Sequence, residues 1–201
     1  MSQWIETIAL KEGVLKNILW HQQRMELTLV AHESNFFVDL FTLLSKYDLP
    51  RNGYYKVRVL YNTRQVLDVN WQLYTPRQLN TFELVDGTHI DYSYKDANRT
   101  QLEELKEESK EDEIIIVQKN CITDTSFTNL VFQQGEYWYT PASYLLNGTQ
   151  RQYLLAENLI RQREITRTDL SLYSHFKLIN AMLPFETAPT YSINQIKNRW
   201  D

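Results

Sequence analysis

Residues 114–151 constrain the fold more than any other stretch, because a strand, a turn, a polar string, a hairpin and a helix entrance follow one another there without a linker. Residues 114–117 are a continuous apolar run between polar neighbours, the pattern of a strand buried on both faces. Lys119-Asn120 turns the chain. After Cys121-Ile122 come Thr123, Asp124, Thr125, Ser126, Phe127, Thr128 and Asn129, mostly short side chains with oxygen acceptors, and then apolar Leu130-Val131-Phe132. A polar string squeezed between two strands is expected to line a pocket. Gln133-Gln134-Gly135 reads as a hairpin leading to Tyr137-Trp138-Tyr139, Thr140-Pro141 ends that strand, and Asn147-Gly148-Thr149 opens a helix expected over 150–162. The N–H groups at such an entrance favour an anion, and Gly148 allows close approach.

At 201 residues the chain suits one large domain or two small ones, with enough apolar content for a sizeable core. No segment approaches the roughly 20 apolar residues of a membrane span, and the polar start lacks the apolar core of a signal peptide, so a soluble cytoplasmic protein is expected. The single Cys121 reads as a small buried filler. The sequons at Asn98 and Asn147 read as accidental in a protein that is not secreted. A net charge of −4 gives no support to a nucleic-acid partner. The four His, His21, His32, His89 and His175, show no ligand spacing, so no metal site is expected.

From the start, residues 4–10 alternate as a strand, Glu12-Gly13 turns, and a helix follows with Ile18, Met25 and Leu29 near one face. Ser34 is expected to cap a second, core-facing helix carrying Phe37, Leu40, Phe41 and Leu44. Residues 55–61 and 66–74 form a hairpin. Thr75-Pro76-Arg77-Gln78 breaks the pattern and marks the expected boundary between a small N-terminal domain, 1–76, and a larger C-terminal domain, 77–201, carrying Lys95. A strand is expected over 81–85. Thr100 and Glu103 form a capping-box pattern opening a helix with Leu102 and Leu105, and the charge run 107–113 reads as a solvated helix face. Thr168 or Asp169 should cap a short helix to about Lys177, residues 178–182 read as a strand, and Pro184 and Pro189 loosen the tail. Strands mixed with helices throughout argue an α+β or α/β fold.

Gly-rich phosphate loops and nucleophile elbows are missing, which leaves a combination: Lys95 embedded among aromatic residues, the acceptor string around Asp124, and the Gly148-Thr149 helix entrance. A lysine near apolar groups can lose its proton and attack a carbonyl. Lysine, phosphate cradle and a carboxylate for a ring nitrogen together suit pyridoxal phosphate. Each part also has an ordinary role open to it: Lys95 as a surface lysine, Asp124 as a turn residue, Gly148 as a helix cap.

The order of Glu6-Thr7, Gly13, His21-Gln22-Gln23-Arg24, Lys95-Asp96-Ala97-Asn98-Arg99, Ile122-Thr123-Asp124 with Asn129, Tyr139-Thr140-Pro141, 147–152 and 180–184 resembles the class IV aminotransferases over nearly the whole chain. It is most similar to those members that cleave 4-amino-4-deoxychorismate. The resemblance implies that family's two-domain fold (the D-amino acid aminotransferase-like form, here with a shortened N-terminal domain), a homodimer, a small-molecule substrate, and pyridoxal 5'-phosphate between the domains. It implies that Lys95 condenses with the cofactor and later moves the proton. Arg24 would grip the phosphate with a bidentate fork. The N–H groups of Thr149 and Gln150 would hold the same phosphate, Asp124 would face the pyridine nitrogen where the family has Glu, and Asn129, Asn180 and Ala181 would complete the cofactor set. Thr7, where branched-chain aminotransferases have Gly, would orient or protonate the departing group.

Three functions follow: a lyase giving 4-aminobenzoate and pyruvate for folate synthesis, a class IV aminotransferase acting on branched-chain or D-amino acids, or a degenerate relative that keeps the fold without the cofactor. Thr7, Asn98-Arg99 and Asn180-Ala181 favour the lyase. Asp124, one methylene shorter than Glu, and a chain that starts about where the family's first strand has already passed motivate the degenerate reading, while Ala9, standing where Arg is common in the family, leaves part of the substrate's carboxylate clamp unaccounted for.

Overall fold

The computed structural model describes residues 2–198 and Trp200, and its chain divides into two compact units, Met1–Pro76 with Tyr94–Asn98, and Arg77–Ser93 with Arg99–Asp201. Tyr94–Asn98, and Lys95 with it, therefore groups with the first unit rather than with the residues after Pro76. The cause is backbone pairing: Ile5 donates its N–H to the Lys95 carbonyl at 3.0 Å and Ala97 donates to Gln3 at 2.8 Å. Stacking adds to it, with His32 4.3 Å from the Trp4 ring and 4.7 Å from the Tyr94 ring.

The first unit is an antiparallel sheet, in the order β2-β1-β3-β4, made from β1 (Trp4–Lys11), β2 (Val14–Leu15), β3 (Tyr54–Tyr61) and β4 (Val66–Leu73). Glu12 and Gly13, both at positive φ, make the tight turn from β1 to β2. Period-two alternation aims Trp4, Ile8 and Leu10 with Val57, Val59 and Tyr61 at one face, where Met25 and Leu29 of helix α1 (Ile18–Ala31) pack. The second helix, α2 (Leu40–Leu44), is shorter than expected. Asp39, not Ser34, caps it through the Thr42 N–H at 2.6 Å, while Ser34 closes a local turn onto Phe36. Leu40 and Leu44 are core, whereas Phe37 and Phe41 are exposed.

The second unit is built on nine strands among its described residues: β5 (Phe82–Asp86), β6 (Glu113–Gln118), β7 (Cys121–Thr125), β8 (Asn129–Gln134), β9 (Tyr137–Pro141), β10 (Arg161–Arg163), β11 (His175–Ile179), β12 (Thr190–Ser192) and β13 (Ile196–Asn198). As its apolar run demands, β6 is buried along most of its length, parallel to β5 and antiparallel to β7. β8 pairs with β9 and β11 but meets β7 at one position only, Asp124 opposite Asn129. Helix α3 (Thr100–Glu107) buries Leu102 and Leu105, but its N-cap is Arg99 and no side-chain cap bond forms.

Four further expectations give way. Glu113 is no part of a solvated face: it opens β6, buried, and accepts the N–H groups of Ile114 and Ser126. Helix α4 (Thr149–Ala156) stops well short of 162, because Asn158 takes a left-handed φ of 57° and Leu159 donates back to the Leu154 carbonyl at 2.9 Å, freeing β10 to run parallel to β9. Thr166, in a capping box with Asp169, starts a 3-10 turn over Arg167–Leu172, and the strand after it is His175–Ile179. The tail beyond Pro184 is not loose throughout, since β12 and β13 pair with β11 and β5. Cys121 is half-buried.

Candidate functional site

In the first unit the chemistry gathers where α1 crosses β1. Glu6 stands on the helix-facing side of β1, between Trp4 and Ile8, so a carboxylate sits where the pattern calls for an apolar residue. It is fully buried and partnered. His21 and Arg24, one helical turn apart on α1, both reach it: Arg24 Nε donates to Oε1 at 2.9 Å, Arg24 Nη2 pairs with Oε2, and His21 Nδ1 lies 2.6 Å from Oε2. Burial alone would raise the Glu6 pKa, but the Arg24 and His21 contacts outweigh it and hold the group at about 2. Glu6 is thus an ionised acceptor, and His21 must carry its proton on Nδ1 to donate to it. Burial also lowers the His21 pKa against the pull of Glu6, and the charges of Arg24 and Lys95 push the same way, so the ring is neutral. The backbone bond from Ile5 holds the Lys95 main chain against β1 next to Glu6, and the charge of Lys95 reaches His21. Thr7 follows Glu6 on β1, opposite Arg58 of β3, and by alternation faces the other side of the sheet. The structure thus brings Arg24, His21 and Glu6 together, sets the Lys95 backbone against β1, and leaves Thr7 on the other face of the sheet.

In the second unit the polar string is a knot of satisfied groups rather than an open wall. Thr125 Oγ1 accepts the N–H groups of Phe127 and Thr128 and lies 2.8 Å from the Thr128 hydroxyl. Asp124 is buried at the β7–β8 junction. Its Oδ1 accepts from Asn129 Nδ2 at 2.8 Å, and its Oδ2 accepts the N–H groups of Leu145 and Leu146 at 3.1 and 2.9 Å. Burial raises its pKa to about 6 against these bonds and the charge of Arg151. Asn129 also donates to the Leu146 carbonyl at 2.8 Å, which ties the junction to the loop before α4. Gly148 caps α4, and a Cβ there would lie 2.1 Å from Asn129 Oδ1, so only glycine lets the helix entrance and the junction touch. Thr149 and Gln150 are buried in the first turn of α4, where backbone N–H groups point out of the helix. Asn180 shapes the turn after β11, accepting from Met182 N–H at 2.8 Å and donating to the Phe127 carbonyl at 3.2 Å, with Ala181 half-buried beside it.

Sequence reading gave no role to Glu6 or to the Leu145 and Leu146 N–H groups. A lone glutamate on the apolar face of an alternating strand, with a helical His and Arg to follow, is the signal for the first. Backbone donors leave no signal in a sequence. Among the described residues no cluster of His, Cys, Asp or Glu could hold a metal, and no helix is long and apolar enough to cross a membrane.

Two units with a lysine, an ion-paired arginine, a buried carboxylate and a glycine-capped helix entrance describe a fold that comparison identifies. The amino-transferase class IV family model matches residues 5–185, and the chain belongs to that family, whose enzymes depend on pyridoxal phosphate. It is similar to an uncharacterized protein of Haemophilus influenzae, 35% identical over 181 residues, covering 88% of this chain and 96% of the relative. It is also similar to a crystal structure from Haemophilus somnus 129pt provisionally assigned as a 4-amino-4-deoxychorismate lyase, with a TM-score of 0.84 and 36% identity over 90% of this chain and 97% of that one. A hypothetical aminotransferase of Mycobacterium tuberculosis in its pyridoxal-phosphate-bound form shares the fold, at 14% identity and a TM-score of 0.68 over 94% of this chain and 80% of that one.

The donor set fits the family's cofactor. A lysine and a buried guanidinium belong to one unit, and a helix entrance and a buried carboxylate to the other. Asp124 accepts three bonds from the protein, and a carboxylate offers about four acceptor positions, so one further N–H donor can be taken up.

Proposed function

We propose that this protein is a pyridoxal-phosphate-dependent lyase that converts 4-amino-4-deoxychorismate to 4-aminobenzoate and pyruvate, a step that would serve folate synthesis in the cytoplasm. The observation that carries the reading is the buried Arg24, held by Glu6 and His21, in the same unit as Lys95, whose backbone pairs with Ile5 and whose charge reaches His21. The provisional assignment of the Haemophilus somnus relative, together with Thr7, favours lyase over transaminase.

The cofactor, when bound, supplies an electron sink. Lys95 would provide the amine that holds it and would move a proton at Nζ. Glu6 fixes the Arg24 fork through two bonds, so the guanidinium meets phosphate already oriented. Thr149 and Gln150, in the first turn of α4, would offer N–H groups to a phosphate. Asp124 would offer its remaining acceptor position to the ring nitrogen, and the three bonds it accepts from Asn129, Leu145 and Leu146 hold the carboxylate in place. Asn129, Asn180 and Ala181 shape the surroundings. The role expected of Thr7, to orient or protonate the departing enolpyruvate, would require the substrate to reach the face of β1 opposite Glu6. A homodimer agrees with the exposed Leu19, Leu27 and Val30 along α1 and with exposed Phe37 and Phe41.

The second reading is a class IV aminotransferase on branched-chain or D-amino acids, favoured by the family model itself. Purified protein given 4-amino-4-deoxychorismate should release 4-aminobenzoate. Transfer of an amino group from an ordinary amino acid to a keto acid, with no 4-aminobenzoate formed, would replace the first reading with the second.

A further inference from the structure

Arg151 is the least expected charge in the second unit. It sits in the first turn of α4, where a cation opposes the positive end of the helix dipole, and it is 2% exposed. Burial pushes its pKa down, against the pull of Asp124 and Tyr144. Its Nε is buried without a hydrogen-bond partner. An arginine placed at such cost is held for something other than the helix.

Its contacts say what. Nη2 donates to the Pro141 carbonyl at 3.0 Å and to Gln162 Oε1 at 3.3 Å, and Nη1 donates to Asn147 Oδ1 at 2.9 Å. The guanidinium carbon stands 4.6 Å from the centre of the Tyr144 ring. One planar group thus grips residues 141 and 147, the two ends of the connection from β9 to α4, and stacks on its middle. Leu145 and Leu146, whose N–H groups hold Asp124, lie within that connection. We propose that Arg151 is a positioning residue: it staples the 141–147 loop closed so that two backbone N–H groups stay aimed at the Asp124 carboxylate. A lysine carries the charge but cannot span both ends with a fork, so the geometry is specific to arginine. The consequence for catalysis rests on the reading of Asp124 as the partner of the cofactor's ring nitrogen, but the stapling itself does not.

The test uses the whole chain without added cofactor, in three forms: wild type, Arg151→Lys and Arg151→Met. Amide exchange at Leu145 and Leu146 should be faster by about tenfold or more in both variants, with Leu154 and Leu155 at the far end of α4 unchanged. Carbon-detected titration of labelled aspartate should show the Asp124 carboxyl near the wild-type value of about 6 rising by roughly one unit in Arg151→Met and by less in Arg151→Lys, which keeps the charge. Arg151 is the charged side chain that faces Asp124, and Asn129 with the two N–H groups supplies its other contacts. Should Arg151→Met not fold, Arg151→Lys decides alone, through the two loop amides. Equal exchange and an unmoved Asp124 in the variants would overturn the stapling. Faster exchange in a protein whose wild-type form never takes up pyridoxal phosphate would leave the staple standing and remove the proposed function instead.

Discussion

A buried carboxylate gripped by a guanidinium and an imidazole tolerates the loss of neither partner easily, and Glu6 is in that position. Arg24→Met should cost about 3–5 kcal/mol in urea denaturation, because it strands Glu6 in the core without its counter-charge. Glu6→Gln should cost less, since it leaves Arg24, on the more accessible side, able to find water. The two buried acids have opposite pH signatures. Glu6, with its folded pKa lowered from 4.5 to about 2, contributes stability present above pH 4.5 and lost as the pH falls towards 2. Asp124, raised from 3.8 to about 6, is favourable below pH 3.8 and becomes a burden as the pH rises through 6, by roughly 3 kcal/mol. Denaturation of wild type and Asp124→Asn at about pH 3 and about pH 7 should therefore show the wild type losing ground to the variant by about that amount, and a constant difference would contradict the burial argument. At this scale Lys95, Arg24, Asp124 and Asn129 were nameable from sequence because each sits in a motif. The role of Glu6 was not, since the helix that completes its ion pair lies 15 and 18 residues away.

Elements were legible where periodicity is strong and hidden where the partner is distant. β3 alternates between buried and half-buried residues, β1 is buried on both faces, and β6 announces itself as an unbroken apolar run. Helix α2 was overdrawn because Phe37 and Phe41 continue the apolar spacing although they face solvent. β12 and β13, three residues each, are too short to carry a pattern, and only their pairing with β11 and β5 makes them strands. The charge run hid Glu113 because its acceptor role depends on Ser126, 13 residues on. The entrance to α4 gives a direct test. Gly148→Ala puts a Cβ against Asn129 Oδ1 and must displace the side chain that holds Asp124, so it should destabilise by about 1–3 kcal/mol and weaken cofactor retention together. Alanine at Gly135, whose Cβ would meet nothing within 4 Å, is the control: it strains only a left-handed turn and should leave retention unchanged.

For the molecule as a whole, family membership makes it an enzyme of the pyridoxal-phosphate class. Apolar side chains left in water on α1 and around α2 call for a partner surface. Sedimentation should give twice the chain mass, and Phe41→Lys should loosen that assembly by about tenfold or more, while a monomeric wild type would remove the homodimer. The most direct measurement follows 4-amino-4-deoxychorismate added to protein preloaded with pyridoxal phosphate. Equal amounts of 4-aminobenzoate and pyruvate should appear, and Lys95→Ala should abolish both along with the visible absorbance of lysine-bound cofactor. Unchanged turnover in Lys95→Ala, or no 4-aminobenzoate from cofactor-loaded wild type, would contradict the proposed lyase.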